Sequence, residues 1–109
     1  MVMIVTGWNN GQYRSSGAGY GIKIRSKDRN KYFDKKWKCV LLKLPGKVGF
    51  TRININKKSF WDSRCRELIK KDIGIWIRKK VETPWRKGNP PKMIMEKIDT
   101  NKFGVKLIK

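Results

Sequence analysis

Three segments of the chain bring positively charged and aromatic side chains together, and these residues could bind an extended anion. The segments are residues 8–14, 23–31 and 85–92. Lys and Arg bind phosphates, and flat aromatic side chains stack on bases, so this combination is typical of nucleic-acid binding. The predicted nucleic-acid-binding residues are Trp8, Tyr13, Arg14, Gly19, Lys23, Arg25, Arg29, Trp85, Arg86, Lys87, Asn89 and Lys92.

The third segment is the strongest of these candidates. Trp85 is followed directly by Arg86 and Lys87, and Asn89 adds an amide that could hydrogen-bond the edge of a base. The prolines around this stretch exclude a regular helix, so Trp85 does not belong to a helical core stripe. An alternative stays open, because tryptophan favours burial and Trp85 could instead fold back on the core.

A glycine-rich stretch near the start of the chain predicts a second part of the site. With the two-residue period of a strand, one face carries Gly17, Gly19 and Gly21, followed by Lys23 and Arg25. The other face is apolar and is predicted to face the core. Bare backbone beside two cations could let a phosphate chain approach closely. The alternative is that the glycines relieve crowding at a bulge or beneath a packed helix.

The overall charge of the chain favours a polyanionic partner. The 109 residues include 28 Lys and Arg, 8 Asp and Glu and no histidine, which gives a formal net charge of +20 at pH 7. Such an excess destabilises a folded chain through self-repulsion, and a polyanion would neutralise it. Nucleic acid, either DNA or RNA, is therefore the predicted partner. A biased genome could account for part of the lysine content, but it does not easily explain the scarcity of acids.

Two further classes of function stay open, a metal-dependent nuclease and a basic module that binds an acidic protein. A nuclease would need clustered carboxylates to hold Mg²⁺. The candidate carboxylates are Asp28, Asp34, Glu67, Glu96 and Asp99. Residues 96–99 place Glu96 and Asp99 close to a lysine, Lys97. However, Glu96 and Lys97 would point to opposite faces of a strand. Histidine-dependent catalysis is excluded, no metal or cofactor is predicted, and an enzyme is not the favoured interpretation.

Length and composition predict a single basic α+β domain over residues 1–109. The first five residues are apolar but lack a charged leader, so they are interpreted as a strand and not as a signal peptide. No apolar run approaches the roughly 20 residues of a membrane helix. We therefore expect a soluble, cytoplasmic protein. Cys39 and Cys65 are predicted to be buried thiols because no histidine is present to complete a familiar zinc site.

The apolar periodicity predicts the elements that position these segments. Strands are expected at residues 1–5, 17–25, 37–44, 48–56, 93–98 and 103–108, with a short helix near 26–33 and a long helix over 59–80. Ser59 and Asp62 are spaced to cap the long helix, and Gly74 could end it early and leave residues 75–81 as a strand or a second helix. The predicted fold is α+β, a small curved antiparallel sheet or open β-barrel with one principal helix between strands 4 and 5, in the order ββ-ββ-α-ββ.

Overall fold

The computed structural model describes residues 2–108, which form seven strands and three short helices. The strands are β1 (Val2–Asn9), β2 (Tyr20–Lys23), β3 (Cys39–Lys43), β4 (Thr51–Asn54), β5 (Glu67–Ile69), β6 (Lys92–Asp99) and β7 (Lys102–Leu107). The helices are α1 (Ser26–Tyr32), α2 (Lys58–Trp61) and α3 (Lys71–Lys80). The α+β fold with a helix between the fourth and fifth strands is confirmed, whereas Met1 of the predicted first strand lies outside the described residues. None of these helices is both long and apolar enough to cross a membrane.

One mixed sheet contains all seven strands in the order β4-β3-β7-β6-β1-β2-β5. The two end strands, β4 and β5, approach each other, so the curved sheet is nearly closed and resembles an open barrel, as predicted. The expectation of a purely antiparallel sheet is wrong at one pair, because β3 and β7 run parallel. The antiparallel hairpin with β6 fixes the direction of β7, and in that direction β7 runs parallel to β3.

The inner face of the sheet forms the core. Alternate residues point inward, so Met3 and Val5 of β1 are buried together with Tyr20 and Ile22 of β2. Phe103 of β7 is fully buried among further aromatic rings. The inward face predicted for the second strand is therefore confirmed, and the opposite face of β1 points away from the core.

The prediction of one helix over residues 59–80 is wrong. The chain leaves α2 at Trp61, pairs with β2 as β5, and becomes helical again at Lys71. Pairing with β2 satisfies backbone groups along that strand, and this tertiary interaction overrides the helical spacing of the apolar residues. Ser59 lies inside α2 and does not cap it, and Asp62 follows that helix at its C-terminal end. Gly74 does not end a helix, because α3 continues through Gly74 to Lys80.

The position of α3 depends on close contact between two glycines, Gly17 and Gly74. A Cβ atom on Gly74 would overlap the carbonyl oxygen of Gly17 and would lie 2.7 Å from its Cα. Gly17 also has a φ of +88°, in the left-handed region that favours glycine. The structure therefore confirms the alternative interpretation, in which a glycine relieves crowding beneath a packed helix. The prediction of an open glycine face is wrong at Gly17, which α3 covers. It is also wrong at Gly21, where a Cβ atom would lie 2.5 Å from the carbonyl oxygen of Leu68.

Both cysteines are free, and each is half-buried. Cys39 and Cys65 were predicted to be buried thiols, but they are only partly buried, because Cys39 occupies an outward position of β3 and Cys65 lies in the irregular segment before β5. Cys65 falls within the predicted long helix, and the chain is not helical at this point.

Candidate nucleic-acid interface

Two of the three predicted segments meet in an aromatic cluster. The rings of Tyr13 and Trp85 lie 5.2 Å apart and nearly perpendicular, at 86°. Both rings also pack edge-on against Tyr20, with centroid distances of 5.8 and 5.9 Å. The guanidinium of Arg78 in α3 donates hydrogen bonds to the backbone carbonyl of Tyr13, the hydroxyl of Tyr20 and the hydroxyl of Thr83. The loop after β1 and the loop after α3 are therefore held together.

Trp85 supports its loop and is not a free stacking platform. The side chain is half-buried against the core. It also lies over Gly7, where a Cβ atom would be 3.5 Å from Cη2 of the indole. Desolvation within the same cluster raises the pKa of the Tyr13 hydroxyl above its ordinary value, and neighbouring Tyr20 adds to the rise. The structure thus favours the alternative in which Trp85 folds back on the core.

We expect Trp85→Ala to lower the free energy of unfolding by about 2–3 kcal/mol, because it removes a half-buried ring and two edge-on aromatic contacts. Trp85→Phe keeps an aromatic edge in place and should lose less stability. Urea unfolding followed by circular dichroism measures both variants. An unchanged unfolding free energy for Trp85→Ala would contradict this structural role.

Side chains of this loop line a surface groove of about 740 Å³, which we call the loop groove. Four of the predicted binding residues line it, namely Trp85, Arg86, Asn89 and Lys92. Lys87 is exposed in the same loop. The N–H of Gly7 donates a 2.8 Å hydrogen bond to the carbonyl of Pro91, which ties the groove to β1. The loop groove therefore has a fixed position beside the sheet.

Lys92 links the loop groove to the outer face of the sheet. Lys92 pairs with Thr6 across β6 and β1, and Thr6 pairs with Lys23 across β1 and β2. Strands lie about 4.8 Å apart, so the two lysines start about 10 Å from each other on one row. Trp8 lies two residues beyond Thr6, faces the same side and is half-exposed opposite Gly21. Lys92, Lys23 and Trp8 therefore share one continuous surface.

Lys23 keeps much of its side chain available for an anion. Its ammonium lies 3.6 Å from a carboxylate oxygen of Glu67, and 38% of its side chain is exposed. Glu67 itself is buried, so breaking this pair would leave a buried carboxylate without its cation. A phosphate would therefore have to contact the exposed part of Lys23 while the ion pair persists.

Arg29 is bound to backbone carbonyls, and Arg25 is paired with Asp28. Arg29 is buried, and its guanidinium donates hydrogen bonds of 3.0 and 2.6 Å to the carbonyls of Phe60 and Asp62 at the end of α2. Desolvation lowers the pKa of Arg29 from its ordinary value, Arg66 lowers it further, and Asp62 opposes the change. Carbonyls at the end of a helix need such donors. Arg25 forms a 3.1 Å ion pair with Asp28, but 54% of its side chain stays exposed, so Arg25 remains accessible to an anion whereas Arg29 does not.

Arg14 and Gly19 both belong to the loop after β1. Arg14 is exposed, and its guanidinium donates hydrogen bonds to the side-chain oxygen of Gln12. At Gly19, whose φ is +81°, a Cβ atom would lie 2.7 Å from the amide oxygen of Asn10. The space beside Gly19 is thus filled by this chain's own side chain. Gly19 shapes the loop after β1 and does not offer bare backbone to a phosphate.

Candidate carboxylates for the alternative nuclease are dispersed. Within residues 2–108, no three carboxylate or cysteine side chains lie close enough together to hold a metal ion. Glu96 is exposed on the outer face of β6. Lys97 points the other way, with its ammonium 5.5 Å from the centre of the Trp37 ring. No observation on the described residues favours a two-carboxylate metal site.

The chain was also compared with known proteins. No family model, curated protein or solved structure matches it. The chemistry of the loop groove and of the adjoining sheet face therefore carries the functional conclusion.

Sequence reasoning missed several residues of this surface. They are the outward-facing residues Val2, Ile4, Ile94 and Lys106. The two-residue period of β1 could have separated Val2 and Ile4 from the buried Met3 and Val5. The hairpin of β6 and β7 was predicted, but Lys106 lies beside Ile94 because a bulge between Lys97 and Asp99 shifts the register, and no pattern in the sequence indicates that bulge.

Proposed function

We propose that the protein binds nucleic acid, DNA or RNA, chiefly through the phosphate backbone, on the surface formed by the loop groove and the outer face of β6, β1 and β2. The observation that carries the proposal is the excess of unpaired cations. The formal net charge is +20, yet just three ion pairs form among residues 2–108. Most cations therefore have no acidic partner within the chain, and a polyanion would relieve their mutual repulsion.

The proposed surface carries five cations, of which Lys23 alone is paired within the described part of the chain, with Glu67. Arg86, Lys87 and Lys92 come from the loop and the start of β6, and Lys23 and Lys106 come from the neighbouring strands. Exposed side chains carrying these charges can follow a phosphate backbone without requiring a particular base sequence. Phosphate contact is therefore the main source of affinity that this proposal predicts.

The test is the binding of labelled duplex DNA, single-stranded DNA and single-stranded RNA over a series of salt concentrations. With about five to eight phosphates contacted, the logarithm of the association constant for duplex DNA should fall against that of salt with a slope of about −4 to −7. Fluorescence anisotropy measures it. Poly-glutamate serves as the control, because it offers carboxylates in place of phosphates. Micromolar or weaker binding to every nucleic acid at low salt, without a steep slope, would overturn the proposal.

A further inference from the structure

The outer face of β1 is apolar where a solvated sheet face is usually polar. Its outward positions are Val2, Ile4, Thr6 and Trp8, none of which is charged. Val2 is 51% exposed and Ile4 is 45% exposed. Antiparallel sheets that face water on one side normally place polar residues there. Because β1 lies within the sheet between β6 and β2, this apolar strip crosses the uncovered face and does not follow an edge.

β6 widens this apolar strip. Ile94 pairs directly with Ile4. Ile98, which is 54% exposed, lies over Gly104 of β7, where a Cβ atom would be 3.4 Å from its Cδ1. A depression of about 120 Å³ lies between Ile94, Gly104 and their neighbours. We call this surface the apolar stripe, and its members are Val2, Ile4, Trp8, Ile94 and Ile98.

Lysines flank the apolar stripe on both sides. Lys106 pairs with Ile94 from β7, and Lys92 precedes Ile94 on the same face of β6. On the other side, Lys23 pairs with Thr6 from β2. The face thus combines a largely apolar centre, which also holds the exposed carboxylate of Glu96 between Ile94 and Ile98, with cationic margins, and the loop groove continues it at Lys92.

We propose that this face binds single-stranded nucleic acid, with unpaired bases on the apolar stripe, Trp8 stacking on a base, and phosphates directed to Lys92, Lys106 and Lys23. This inference rests on the proposed function and names its substrate. A duplex buries the faces of its bases in its own stack, so an apolar surface gains little from it. Unpaired bases expose those faces and can lie on a flat apolar or aromatic surface.

The dimensions and charge of the face support this occupant. Outward residues of a strand repeat about every 6.8 Å, so Val2 to Trp8 covers about 20 Å, enough for several nucleotides. A second copy of the chain is a poorer occupant, since a two-fold contact that stacks the two stripes would place the cationic margins of one copy over those of the other. Like charges placed together across an interface are unfavourable. The cationic margins complement a phosphate backbone.

The experiment compares an oligonucleotide of about 12 nucleotides with the duplex of the same sequence, using the full chain and its variants. We expect Trp8→Ala to weaken single-strand binding about 5- to 100-fold, and to change duplex binding much less. Trp37→Ala is the matched control, because Trp37 is also half-buried but lies beside Lys97 and away from the stripe. Ile4→Thr keeps a β-branched residue at an exposed position and should weaken single-strand binding several-fold even if Trp8→Ala fails to fold.

The outcomes separate this inference from the proposed function. Selective loss of single-strand binding in Trp8→Ala or Ile4→Thr supports the inference. Equal affinity for both forms, unaffected by either variant, overturns it and leaves nucleic-acid binding intact. Absence of binding to either form overturns both proposals. Tight binding to an acidic protein that Ile4→Thr weakens, without single-strand binding, would show that the stripe serves a protein partner and would also overturn the inference.

Discussion

Gly74→Ala is expected to destabilise the protein by about 2 kcal/mol or more, although the same change inside an exposed helix normally stabilises by about 1 kcal/mol. The sign reverses because the new methyl group would overlap the carbonyl oxygen of Gly17 and lie 2.7 Å from its Cα. Backbone atoms cannot rotate away as a side chain can. The helix α3 would have to move off the sheet, which exposes the buried side chains of Ile73 and Ile77. Urea unfolding followed by circular dichroism gives the free energy of unfolding.

Gly104→Ala is the matched control for this prediction. A Cβ atom at Gly104 would meet the flexible end of the Ile98 side chain at 3.4 Å, and no backbone atom lies within 4 Å among those nearest to it. We therefore expect Gly104→Ala to change the free energy of unfolding by less than about 1 kcal/mol. A Gly74→Ala variant as stable as the parent protein would show that α3 does not depend on close backbone contact.

Local patterns in the sequence were sufficient for the strands that pair with their neighbours in the chain. β3 is a short apolar run that ends before a turn with Gly46 at a φ of +77°, β4 alternates clearly, and β6 and β7 form the expected hairpin. Residues 59–80 were not predictable in the same way. Leu68 fits an apolar helical stripe and an inward strand position equally well, and its pairing with Ile22 of the distant β2 decides between them.

At the candidate site, too, local composition predicted some residues, whereas the placement of others depends on long-range strand pairing. The composition of the loop from Trp85 to Lys92 indicated a cationic groove, and four predicted residues line it. The row from Lys92 through Thr6 to Lys23 depends on the registers of two strand pairs and could not be inferred from spacing. Arg29 was assigned to phosphate because its sequence neighbours are basic. Its guanidinium instead satisfies backbone carbonyls more than 30 residues away, which no local pattern indicates.

Reversing the charges of Lys92 and Lys106 together is expected to weaken nucleic-acid binding at low salt by at least 30-fold, roughly 2 kcal/mol. Each substitution removes a phosphate contact and places a carboxylate beside the backbone of the ligand. The salt slope should become shallower by about two, since each lost phosphate contact accounts for about one unit. Anisotropy titrations of Lys92→Glu/Lys106→Glu against single-stranded DNA measure both quantities.

The matched control is Lys35→Glu/Lys58→Glu, two exposed positions that line a different depression beside Trp61. Both double variants lower the formal net charge by four from +20, so they change the long-range field of the protein equally. If binding is localised on the loop groove and on the outer face of β6 and its neighbouring strands, the control keeps its salt slope and loses much less affinity. Equal losses in the two double variants would mean that net charge alone attracts the nucleic acid, and that neither the loop groove nor the apolar stripe is its site.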